Sequence, residues 1–120
     1  MIDDIASAKL GRIVHLVAEI HAAIETLPLG EWAIERRKEY AELKQLAESL
    51  RTHADKDVAA LSFRLRAYLV ELAESDRLVR EDRPARSIRR QADLHRKTME
   101  RFNALLLKLV HRKEAEQIGV

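Results

Sequence analysis

The sequence predicts an all-α fold, an antiparallel bundle of four helices, on three observations. Apolar side chains recur at steps of three and four along four separate stretches, the period of one helix face. Three glycines and two prolines in 120 residues are too few for the tight turns of an all-β chain. Charged residues make up 35%, many of them Glu, Lys and Arg, which are good helix formers, and aromatics only 4%, so the core must be aliphatic. The length is that of one domain spanning residues 1–120.

The first helix is expected over about residues 2–27. Its apolar line is Ile2, Ala6, Ile13, Val17, Ile20, Ile24 and Leu27, broadened by Leu10, Val14 and Leu16. Asp3 and Asp4 sit in the first turn, where the positive end of the helix dipole favours anions. Gly11 interrupts the helix, and close packing against a neighbouring helix is the expected reason. Pro28-Leu29-Gly30 ends it, and the short connection implies an antiparallel hairpin. Trp32 is expected to plug that end of the bundle.

The second helix is expected over residues 31–51, with Tyr40, Leu43, Ala47 and Leu50 inward and a mixed-charge face outward. The polar stretch Arg51 to Asp57 then marks a break. Thr52 with Asp55 fits a capping box, and Asp55 alone is another possible N-cap. The alternative is one long continuous second helix, because the three/four pattern runs through the break. That rod would reach about 75 Å at ~1.5 Å per residue and would need a partner to cover it.

The third helix, residues 56–81, carries Val58, Leu61, Leu65, Tyr68, Leu72 and Val79. Phe63, Leu69 and Val70 fall off that line, so a wide apolar surface and a central position are expected. Arg83-Pro84 separates it from the fourth helix, residues 84–116. There Ile88, Ala92, His95, Met99, Phe102, Leu106 and Leu109 share one face. The dense run after it is expected to serve a homodimer interface through Phe102, Leu105, Leu106, Leu109 and Val110.

Positive charge is concentrated at the start of this last helix: residues 77–101 hold nine basic side chains against four acidic. Arg83, Arg86, Arg90, Lys97 and Arg101 form a row, flanked by Arg77, Arg80, Arg89 and Arg96. Arginine grips planar anions, so the row is a candidate surface for a nucleic-acid backbone or an acidic partner. It carries no aromatic, Asn or Gln, so contact with bases is not expected. The plainer account is a solvated face paired with Glu81, Asp82, Asp93 and Glu100.

Other chemistry is sparse. No cysteine is present, which excludes disulfides and thiolate metal sites. The histidines lack the Glu-x-x-His or His-x-x-x-His spacings of a bundle metal site, and His15–Glu19 and His21–Glu25 read as surface pairs. No Gly-rich phosphate loop, serine elbow or cofactor fingerprint occurs. Met1-Ile2-Asp3-Asp4 is acidic where a signal peptide would be basic, and no apolar run approaches a membrane span.

Arg90-Gln91-Ala92-Asp93-Leu94-His95 has an arginine-four-residues-histidine spacing and over those six residues resembles HEPN-type helical ribonucleases. The resemblance implies a dimer that brings two such motifs together, with Gln91 loosely matching the polar residue that follows the arginine.

The sequence thus points first to a non-catalytic helical interaction or adaptor module, dimeric and cytoplasmic, with a protein partner and with no metal, cofactor or catalytic residue. The alternative is a subunit that binds nucleic-acid backbone through the last helix. A HEPN-like ribonuclease ranks below both.

Overall fold

The computed structural model describes residues 2–26 and 33–117. Among them the chain forms four α-helices and no strand: α1 (Asp4–Thr26), α2 (Lys38–Leu50), α3 (Lys56–Arg80) and α4 (Ala85–Gln117). They pack as an antiparallel bundle measuring 52 × 24 × 24 Å. The 33 residues of α4 run its full length. Pro28-Leu29-Gly30 and the expected Trp32 plug lie outside the described residues.

Each start and stop has a local cause. The Asp3 side chain accepts from the Ala6 N–H at 2.7 Å and opens α1. The expected second helix is shorter than its pattern. Ile34–Arg36 form a separate 3₁₀ turn, and Arg37 is extended (φ −75°, ψ 141°) before α2 begins. Ile34 is drawn into the core, where the buried Asp76 carboxylate accepts from its N–H at 3.4 Å. Burying that side chain outweighs continuing the helix by one turn.

The break between α2 and α3 is present, and Asp55, not Thr52, makes it. Its carboxylate accepts from the N–H groups of Asp57 (3.0 Å) and Val58 (3.3 Å). The same carboxylate holds Arg112 of α4 at 2.6 Å. Those guanidinium hydrogen bonds keep the Asp55 carboxyl well below the ordinary carboxylate range.

α3 ends in a Schellman turn: Arg83 N–H reaches the Leu78 carbonyl and Asp82 N–H the Val79 carbonyl, both at 3.1 Å. Asp82 therefore sits at φ 51°, a left-handed position that glycine fills at least cost.

The core is aliphatic with one aromatic pair. Leu10, Ile13, Leu16 and Ile20 of α1 meet Leu43, Ala47 and Leu50 of α2 and Leu61, Leu65 and Leu72 of α3. Tyr68 of α3 stacks on Phe102 of α4, centroids 5.3 Å apart. Each such large side chain contributes about 1.5–3 kcal/mol by leaving water. Buried Ser62 donates to the Ala47 carbonyl at 2.6 Å, and two small side chains at that crossing bring α2 and α3 close. α3 is central, packed against both α2 and α4, whereas α1 and α4 touch sparingly.

Two expectations are corrected. Phe63 and Val70 do not widen the core face of α3; they are 62% and 64% exposed, while Leu69 is buried. Gly11 is not a close-packing site either, because a Cβ there would meet nothing within 4 Å. Glycine is therefore misplaced twice, present in an open helix and absent from a left-handed turn. Gly11→Ala is expected to stabilise the fold by about 1 kcal/mol. Asp82→Gly should do the same by about 1 kcal/mol, since it also removes an acidic group from a helix C-terminus. Chemical denaturation of both variants checks this, and a lower midpoint in either refutes the assignment of that backbone site.

Candidate functional site

The row on α4 is built by helical period. Steps of four, seven and four place Arg86, Arg90, Lys97 and Arg101 within an arc of about 60°, over about 22 Å of axis, whereas Arg83, expected in the same row, precedes the helix in the turn that closes α3. All five are exposed. Among the described residues none of them forms an ion pair, although Arg83 lies within Coulombic reach of Glu74. Their flanking neighbours differ. Arg77 is clamped between Glu74 and Glu81, the latter at 2.8 Å, and Arg80 donates to Asp76 at 2.9 Å. Arg96 lies 3.5 Å from Asp93, and Arg89 is exposed without a carboxylate partner among the described residues. Glu81 and Asp93 are thus spent on the flanks, and the row keeps its charge.

Three polar contacts tie α4 to α3 along the edge beside the row. The Gln91 amide donates to the Glu71 carboxylate. Lys108 lies 3.2 Å from Asp57, and Arg112 bridges Asp55 and Asp57. Asp57 and Glu71 are fourteen residues apart on α3, and Arg64 lies midway between them. Heptad spacing puts all three on the edge of α3 that faces α4. Arg64 is exposed and unpaired among the described residues, so it adds a cation from a second helix. No one-dimensional pattern marks it; only the α3–α4 register does.

The residues expected at a dimer interface are largely spent inside the chain. Phe102, Leu106 and Leu109 are buried in the core, and Leu105 packs partly against it. Val110 is half-buried and Leu107 is 58% exposed. The intrachain core takes Phe102, Leu106 and Leu109 and part of Leu105, and leaves Leu107 outside.

The histidines behave differently from one another. His15 pairs with Glu19 at 2.9 Å, both exposed, as expected. His21 does not join Glu25 at the surface; its Nε2 meets the Tyr68 hydroxyl at 2.9 Å, half-buried. His95 lies against the other side of Tyr68, centroids 5.5 Å apart, and its Nδ1 is buried without a hydrogen-bond partner. Arg90 and His95, the resemblance pair, are five residues apart and about 140° apart around α4. Arg90 belongs to the exposed row and His95 to the interior, so the two are not brought to one site within the chain.

Around His95 and Met99 the loose α1–α4 contact leaves an apolar slot of about 340 Å³, floored by Leu72 and flanked by His21 and Ile24. A second groove of about 460 Å³ lies between α2 and α3, bordered by Tyr40, Glu48, Arg66 and Val70. Among the described residues no group of three or more His, Asp or Glu side chains could hold a metal ion. None of the described helices is long and apolar enough to cross a membrane.

No protein-family model, curated protein or solved structure matches the chain.

Burial lowers the pKa of both His21 and His95, against the opposing pull of Glu25 and Glu71. The fold therefore holds both rings neutral where an unfolded chain, with histidine near 6.5, begins to protonate. Stability is expected in full above about pH 6.5 and to fall as pH drops from there towards the lower folded values. Thermal melts from pH 7.5 to 5 on the wild type and on His21→Gln/His95→Gln check this. The variant should lose the slope, and an equal slope in both would refute the assignment.

Proposed function

We propose that the chain is a non-catalytic helical binding module whose working surface is the exposed cationic face of α4. The observation that carries this is the contrast along one stretch of sequence. Arg77, Arg80 and Arg96 are engaged by carboxylates, whereas Arg83, Arg86, Arg90, Lys97 and Arg101 keep their charge in the open. A solvated face built only for solubility needs no such row, because mixed signs serve better. Uncompensated guanidinium groups on a rigid rod are pre-ordered for an extended anionic partner.

The interior offers little support for catalysis. The Tyr68 hydroxyl is engaged by His21 and its ring is stacked on Phe102, with burial raising its pKa. His95 lies between Tyr68 and the side chains of Leu72 and Met99, and its buried Nδ1 has no hydrogen-bond partner. A homodimer, if formed, has to use surface other than Phe102, Leu106 and Leu109, which the chain's own core occupies.

Retention on immobilised polyphosphate tests the reading. Arg86→Glu with Arg90→Glu should release the protein at much lower salt than the wild type. The same charge change at Arg36 and Lys44, both exposed on the opposite part of the chain, should have a small effect. Equal losses from the two double variants would reduce the attraction to net charge and end the proposal.

A further inference from the structure

We infer that the partner is a double-stranded nucleic acid, held by its phosphate backbone across the α3–α4 seam and without reading of bases. The inference rests on the binding face proposed above and adds its second helix and its ligand class. Four features carry it.

The first is the shape of the charge. Arg64 of α3 lies between the Asp57–Lys108 and Glu71–Gln91 contacts, sideways from the α4 row. Packed helix axes are about 8–10 Å apart, so the cations of the two helices are offset by a similar width. B-DNA grooves are about 6 and 12 Å wide, so phosphates of both strands lie within reach of a surface that broad. A single strand presents one line of phosphates and would leave one helix unused.

The second is the lack of a stacking platform on this face among the described residues. Single strands are held largely by bases stacked on exposed aromatics. Tyr68 and Phe102 lie beneath this surface, buried and stacked on each other. Phe63 is exposed, but it shares its stripe of α3 with Val70, which borders the α2–α3 groove on the other side.

The third is the lack of amide side chains on this face, the groups that read adenine. Gln91 is buried and its amide is spent on Glu71. Asn103 is two residues from Arg101, about 200° around the helix and so on the opposite face.

The fourth separates nucleic acid from other anions. A specific protein partner is normally anchored by desolvated apolar or aromatic side chains at the centre of the contact. A membrane surface needs an apolar face to insert. This row offers Leu94 alone, 46% exposed. Counterion release from a dense line of phosphates needs no such anchor.

The test is fluorescence anisotropy with a labelled 20-base-pair DNA duplex, its separated strand, and vesicles containing anionic lipid, at 50 and 150 mM salt. The duplex should bind more tightly than the strand or the vesicles, equally for scrambled sequences, and should weaken steeply with salt. Arg64→Glu should lower duplex affinity about tenfold at the lower salt and reduce the salt slope by about one. Circular dichroism on the variant confirms that the helices are intact. Equal binding of strand and duplex, tighter binding of vesicles, or an unchanged Arg64→Glu would overturn this inference. If loss of binding is then seen only in Arg86→Glu/Arg90→Glu, the α4 face stands and its two-helix duplex reading falls. Dependence of affinity on base sequence would also overturn it.

Discussion

The stack of Tyr68 on Phe102 sets the rotation of α4, and most of what is exposed on this protein follows from that rotation. Once Phe102, Leu106 and Leu109 turn inward, helical period leaves the row from Arg86 to Arg101 facing water. Polar contacts on either side of the aromatic pair fix the register as well. Gln91 holds Glu71 on one side, and Arg112 holds Asp55 and Asp57 on the other. Asp55 couples two tasks, since the carboxylate that caps α3 also anchors the far end of α4.

The exposed row is held against its own repulsion. Arg86 and Arg90, and Lys97 and Arg101, are i,i+4 like-charge pairs, each costing about 0.2–0.5 kcal/mol in an isolated helix. Among the described residues no carboxylate forms an ion pair with these four, although Asp93 and Glu100 lie within one turn of them on α4. The carboxylates of α3 are occupied by Arg77, Arg80, Gln91, Lys108 and Arg112, and Glu39 and Glu42 of α2 by Arg37 and Arg12. The apolar packing of α4 on α3 is worth several kcal/mol and overrides this penalty.

Packing is uneven along α4. Past Met99 its inner face is closed against α3, but Ile88, His95 and Met99 are only half-buried, and the sparse α1–α4 contact leaves the slot beside His95. Two half-buried histidines flank Tyr68 in a largely aliphatic interior. Their neutrality ties the stability of this end of the bundle to pH, independently of the cationic face.

The four rods, the break near residue 55 and the inward faces were legible in the sequence, because helical period and capping chemistry act over a few residues and need no knowledge of neighbours. The α4 row was legible for the same reason. Other features depended on which groups met in space. The sequence alone could not show that Phe63 and Val70 face water, that Gly11 packs against nothing, or that most of the leucine run is consumed within one chain. Arg64 joined the candidate face only through the α3–α4 register, and only the structure shows that Glu81 and Asp93 pair with Arg77 and Arg96 and not with the row. Periodicity assigns a side chain to a face, but whether that face is covered, paired or left open depends on distances between residues remote in the chain, and the tertiary fold sets those distances.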